Sequence, residues 1–164
     1  MIGYIIEVEH DLFVCILINQ YTNPIVYANS SIITFAETND FFNNFSNPIE
    51  IVTENIPETI KEWANKIFMI KKGFDQDTSN IPLDFSDYTV KQIQVIKTAL
   101  QIPVNEIWPY SKVAELANLP KAQRFVGSTM KLLRQPYIVP VQRVKSLSFL
   151  RTKNKKINKR KMPL

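Results

Sequence analysis

The chain has 164 residues, 45% of them apolar and 21% charged, which places it among globular proteins with room for one ordinary core or two small ones. Its longest apolar run, Leu12 to Ile18, falls short of the roughly 20 residues of a membrane helix and follows Glu7, Glu9 and Asp11, so neither a span nor a signal peptide is read. The net charge of +5 hides a division: residues 1–80 hold 4 Lys and Arg against 11 Asp and Glu, net −7, while residues 81–164 hold 16 against 4, net +12.

Such asymmetry suggests two domains with different partners, the basic one facing a polyanion. A single cysteine, Cys15, excludes an internal disulfide and fits a reducing compartment inside the cell, cytoplasmic, nucleoid-associated or nuclear.

Residues 2–37 consist of β-branched apolar runs (YIIEVEH, LFVCILIN, PIVYANSSIITFAE) punctuated by Asn19, Asn23-Pro24 and Asn29-Ser30. They predict three strands of a small antiparallel sheet. His10 and Cys15, the only residues of their types, are read as opposite-facing positions of one strand, with Cys15 a small buried hydrophobe among Phe13, Val14, Ile16 and Leu17. Pro57 to Lys72 repeats Ile60, Trp63, Ala64, Ile67 and Phe68 at helical spacing, which predicts an amphipathic helix laid on the sheet and stopped by Gly73.

The acidic, polar stretch Asp75 to Asn80 reads as a linker, giving an acidic domain over 1–80 and a second domain over 81–145. A helix is predicted from Asp87, as N-cap, to Gln101, with Val90, Ile93 and Ile96 inward. Asn105 then suits a left-handed turn position. A short helix from about Ser111 to Ala117, with Val113, Leu116 and Ala117 inward, leads through Asn118-Leu119-Pro120 into a second, Pro120 to Leu132. The second helix buries Ala122, Phe125, Val126, Thr129 and Met130 and gathers Lys121, Arg124, Ser128 and Lys131 into an arc of about 80°, Gly127 at its margin. A narrow basic stripe beside a small residue admits a phosphate backbone and marks a recognition helix. A hairpin-like buried segment ending in Pro140-Val141-Gln142-Arg143-Val144 follows.

The spacing of Ile102-Pro103, Tyr110, Ala114, Pro120-Lys121-Ala122, Arg124, Val126-Gly127, Met130, Pro136 and Pro140-x-x-Arg143-Val144 resembles the DNA-binding half of the O6-alkylguanine-DNA alkyltransferases, the methylated-DNA-protein cysteine methyltransferases. The resemblance implies an α+β chain. It would have a small N-terminal sheet with a helix, ribonuclease-H-like, then a helical domain with a winged-helix-like helix-turn-helix. It further implies that Arg124 takes the place of an extruded base while Tyr110 presses on the neighbouring phosphate, roles that a stacking guanidinium and a rigid aromatic can fill. The implied duplex contacts are Tyr110 and Ser111 on the first helix and Lys121, Ala122, Arg124, Gly127, Ser128 and Lys131 on the second. Arg143 and Lys145 follow them.

The family carries its reactive cysteine in a Pro-Cys-His-Arg-Val signature, and the same register here holds Val141 and Gln142. Val141 has no nucleophilic atom and Gln142 cannot abstract a proton, so no alkyl transfer is expected. Leu133 and Arg134 replace the family's Asn-Pro, and Lys145 to Leu164 contains neither the glycine nor the acid of the family's active-site loop and helix. In their place stands a basic tail, residues 146–164, with Arg151, Lys153, Lys155 and Lys156 among its cations. It is expected to be disordered alone and to bind phosphates without reading bases.

No glycine-rich phosphate loop, metal-ligand cluster or cofactor motif is present in the sequence. The reading is therefore a non-catalytic protein of double-stranded DNA. It has two variants: a sensor that flips alkylated guanine and recruits another repair pathway, and a chromatin or transcription-associated binder whose acidic domain contacts a protein.

Overall fold

The computed structural model describes residues 1–10, 12–19, 25–33 (by backbone), 41–43, 45 and 47–150. Helices and strands are mixed, as expected. The described chain divides into two compact units, Met1–Tyr88 with Leu133–Val139, and Thr89–Leu132 with the residues from Pro140 on.

The first unit is built on a sheet of order β3-β2-β1-β4, with β1 at Ile2–Glu9, β2 at Leu12–Ile18, β3 at Ile25–Ile33 and β4 at Glu50–Val52. The three predicted strands are antiparallel neighbours. Two details differ from expectation. Asn29-Ser30 ends no strand; it lies within β3, where pairing with β2 slips between Phe13↔Ile33 and Cys15↔Asn29, so the turn-forming dipeptide coincides with a bulge. β4 pairs parallel to β1, Ile2 facing Glu50, which makes the sheet mixed; three residues are too few to show a period of two in sequence.

Alternation along β1 and β2 supplies two covered faces. Ile6, Val14, Ile16 and Ile18 pack on one face with Ile60, Trp63, Ala64, Ile67 and Phe68 of helix α1, Glu58–Lys71. On the other, Ile5, Cys15 and Leu17 pack with Phe42. Gly3 is required on that side, because a Cβ there would stand 2.5 Å from Phe42 Cε1.

Gly73 stops α1 as predicted. At φ +94° it lets its own N–H bond to the carbonyl of Ile70 and that of Phe74 to Met69, the Schellman pattern. His10 stands exposed in the turn after β1 rather than on a strand with Cys15, which is fully buried in β2.

The polar stretch after α1 is no free linker. Thr78 Oγ1 donates to the Ile138 carbonyl at 2.6 Å, and Ile81 and Ile138 both join the core under α1. Tyr88 Oη donates to Gln135 Oε1 and accepts from the Arg134 backbone N–H, both at 3.0 Å, while Arg134 pairs with Asp87. Burial raises the Tyr88 phenol, the Asp87 charge adds to the shift, and the Arg134 N–H opposes it. These ties place the division of the units at Tyr88, beyond residue 80.

Among the described residues, the second unit packs three helices and a further helical turn at 147–150 beside a two-stranded ribbon. Helix α2 is Val90–Leu100, shorter than predicted. Its N-cap is Thr89, in a capping box in which the Gln92 N–H reaches Thr89 Oγ1 at 3.4 Å and the Thr89 N–H reaches Gln92 Oε1 at 2.8 Å. Asp87 is engaged with Arg134 instead. Val95, Ile96 and Ala99 are inside, whereas of the residues predicted inward Ile93 is only partly buried and Val90, in the first turn, is 75% exposed. Asn105 adopts φ +67°, the left-handed conformation its side chain tolerates. The ribbon pairs β5, Trp108–Pro109, parallel with β6, Val144–Lys145. The hairpin expected before Val144 is absent. Gln135 and Pro140 carbonyls instead accept turn bonds from Val139 and Arg143, and Val141–Arg143 forms a 3-10 turn.

Candidate nucleic-acid interface

Helix α3, Tyr110–Leu116, and helix α4, Gln123–Leu132, are joined by a turn. Asn118 and Lys121 both take positive φ, +56° and +65°. The second helix therefore begins three residues later than the proline rule predicts, and Lys121 lies in the turn rather than on the helical arc. A left-handed conformation costs a side-chain-bearing residue about 1–2 kcal/mol, so the turn between the helices is the more strained part of the pair. Val113, Ala114 and Ala117 are buried from α3, but Leu116, predicted inward, is half exposed. From α4 Val126, Thr129 and Met130 are buried; Ala122 and Phe125, also predicted inward, are only partly so.

Tyr110, the first residue of α3, lies with its ring edge against Gly127 of α4. A Cβ at Gly127 would be 3.4 Å from Tyr110 Cε2. The tyrosine ring thus packs on α4 at Gly127, where a methyl group would still be in ordinary contact with it. Arg124, Ser128 and Lys131 are exposed along α4, and Lys121 is exposed before it. Ser128 Oγ donates to the Arg124 carbonyl at 3.0 Å, which leaves its lone pairs outward. None of Arg124, Lys121 and Lys131 enters an ion pair among the described residues. Ser111 is partly buried beside Tyr110, and Lys145 of β6 stands 5.5 Å from the Phe149 ring.

Arg143 corrects the prediction. It is 6% exposed and its Nη1 donates to the Ile102 carbonyl at 2.9 Å, so it braces the turn after α2 and presents no cation to a phosphate. The resemblance had placed it among the implied contacts through the Pro140-x-x-Arg143-Val144 register. Val141 and Gln142 occupy the 3-10 turn beside it, both partly buried. Gln142 Nε2 is buried and has no acceptor among the described residues, and the same holds for Thr129 Oγ1 as a donor. Arg151, Lys153, Lys155 and Lys156 lie outside the described residues.

The only thiol is remote from these elements in chemistry as well as in sequence. Cys15 sits in the sheet, and burial pushes its pKa up to about 12. At neutral pH it is a thiol, and the nucleophile is the thiolate. Among the described residues no cluster of His, Cys, Asp or Glu could hold a metal ion, and no helix is long and apolar enough to cross a membrane.

Residues 91–162 match the family model of the 6-O-methylguanine DNA methyltransferase DNA-binding domain. The second unit is thus similar to the DNA-binding domain of that family. Solved structures agree on the fold. OGT of Mycobacterium tuberculosis, in complex with DNA, superposes with TM-score 0.63 at 18% identity, covering 90% of this chain and 80% of that one. The O6-methylguanine-DNA methyltransferase of the hyperthermophilic archaeon Pyrococcus kodakaraensis gives 0.58 at 18% identity, over 89% and 86%. No curated protein matches by sequence. The likeness of the structures spans both units, whereas the family model begins within α2 of the second unit.

Proposed function

We propose that this protein is a non-catalytic member of the alkyltransferase family that binds duplex DNA through α3, α4 and the basic residues beyond them. The observation that carries the reading is the pairing of Tyr110, seated on Gly127, with an exposed Arg124 that no carboxylate among the described residues neutralises. A duplex meeting this face encounters a rigid aromatic and a guanidinium at one place, with Lys121 and Lys131 to neutralise flanking phosphates. Residues 89–132 and 140–164 together hold 15 Lys and Arg against 2 Asp and Glu, net +13, which favours a polyanion further.

Absence of transfer chemistry follows from the residues available. The position that the family's signature gives to cysteine holds Val141, the neighbouring position holds Gln142, and the chain's single thiol is buried and protonated.

Tyr110 and Arg124 favour a second reading, recognition of an alkylated base turned out of the stack, because an inserting arginine and a crowding tyrosine are the groups that stabilise an extruded nucleotide. Titration of the protein with short duplexes containing guanine or O6-methylguanine, across a salt series, separates the two. Binding to both within a few-fold, weakened by about 1–3 kcal/mol in Arg124→Ala, is the expected result. A large preference for the methylated duplex would establish the sensor reading instead. No binding at low salt would overturn duplex binding altogether, and transfer of a labelled methyl group to the protein would overturn the non-catalytic reading.

A further inference from the structure

One lysine of the second unit is held in a way that stability alone does not require. Lys112, the third residue of α3, is exposed, and its Nζ sits 3.9 Å from the centroid of the Trp108 ring. Trp108 is itself fixed. Its backbone belongs to β5, paired with Val144 of β6, and its indole N–H donates to Glu106 Oε2 at 2.9 Å.

Two features set this lysine apart. The first turn of a helix disfavours a cation, because its unpaired N–H groups point the same way, at a cost of about 0.3–1 kcal/mol. A cation–π contact at an exposed site returns a similar amount, about 0.5–1 kcal/mol, so the pair is close to neutral for folding. Secondly, the domain's only two carboxylates, Glu106 and Glu115, are both near in sequence. Glu115 lies one helical turn away at i+3, and Glu106 grips the same tryptophan, yet neither forms an ion pair with Lys112 among the described residues. The ammonium is thus located by a quadrupole, with no ion pair among the described residues to compete with an outside anion. Holding it in advance also lessens the side-chain entropy that a lysine loses on binding, up to about 2 kcal/mol.

Lys112 follows Tyr110 by two residues, about 200° around the helix. Tyr110 faces α4 through Gly127, and Lys112 faces β5 through Trp108. The two therefore flank the head of α3 on different sides. We propose that the Trp108–Lys112 pair is a further contact to the DNA backbone, in which Lys112 binds a phosphate and Trp108 is the positioning residue. This rests on the duplex-binding reading and extends it to the ribbon side of α3.

The test is fluorescence anisotropy of the full chain with one short duplex over a salt series, for the wild type and for Lys112→Ala, Lys112→Arg, Trp108→Leu and Arg124→Ala. Lys112→Ala is expected to lower the log–log salt slope by about 0.9, one phosphate. Lys112→Arg is expected to retain the slope. Trp108→Leu should weaken binding while keeping the slope, because the cation remains but is no longer held. A contact that serves only stability would instead lower the melting temperature in Lys112→Ala and leave the slope untouched. If Arg124→Ala lowers the slope and Lys112→Ala does not, this inference is overturned while duplex binding stands. Absence of wild-type binding overturns both.

Discussion

At Gly127 a methyl group would meet Tyr110 Cε2 at 3.4 Å and the neighbouring ring atoms at 3.8 Å, ordinary contact distances. Gly127→Ala is therefore sterically admitted, and in a helix interior it should stabilise the fold by roughly 0.5–1 kcal/mol through helix propensity. Thermal unfolding reads the gain, and DNA titration reads what the glycine is for. If the space serves only the packing of the tyrosine, which a methyl group leaves in contact, affinity stays within a few-fold of wild type. A large loss of affinity with a raised melting temperature would show that the DNA backbone itself uses the space. Sequence alone showed a small residue beside a basic stripe and assigned the space to phosphate. That Tyr110 fills it depends on how α3 leans on α4, which no spacing along one helix reports. Arg143 was misplaced for a related reason. Its burial is decided by the Ile102 carbonyl, 41 residues away, which needs a donor where α2 ends.

Among the elements, the ties of segment 133–139 to the first unit can be ranked. The Arg134–Asp87 pair joins side chains 44% and 52% exposed, and exposed pairs contribute at most about 1 kcal/mol. The Tyr88 hydroxyl makes two hydrogen bonds, one of them to Gln135, which is 2% exposed. Tyr88→Phe should cost about 1–3 kcal/mol, because a buried polar side chain loses a partner that water does not replace, and Asp87→Asn no more than about 1. Denaturant melts of the two variants decide it; equal losses would mean that the ion pair, not the hydroxyl, fastens the segment. The elements legible in the sequence were those with a long period or a strong stop. α1 has five inward residues at helical spacing and a glycine end, and β1 and β2 are continuous apolar runs. The start of α2 was misread because Asp87 and Thr89 are both good caps, and only the capping box with Gln92 and the partner at Arg134 decide between them. The start of α4 was misread because Pro120 suits a first helical position, whereas the left-handed Lys121 delays the helix to Gln123.

On the scale of the molecule, the division into units sharpens the charge pattern that composition first suggested. Residues 1–88 and 133–139 hold 5 Lys and Arg against 13 Asp and Glu, net −8, beside net +13 for the remainder. A phosphate backbone is therefore repelled by one unit and attracted by the other. Seven of the cations lie in residues 151–164, without an acid among them, so a chain ending at Leu150 lowers the charge of the basic unit from +13 to +6. If four or five of these cations contact phosphates, truncation should reduce the log–log salt slope by about 4, against about 0.9 for a single side chain such as Arg124. The two losses differ in kind. That of the tail is screened, and should fade as the Debye length contracts to about 3 Å near 1 M salt. That of Arg124, whose guanidinium can also stack and hydrogen-bond, should persist. Binding isotherms for the full and shortened chains, each with and without the Arg124→Ala substitution, test both statements on one duplex. A slope unchanged by truncation would remove the tail from the interface and leave α3 and α4 to account for all of the affinity.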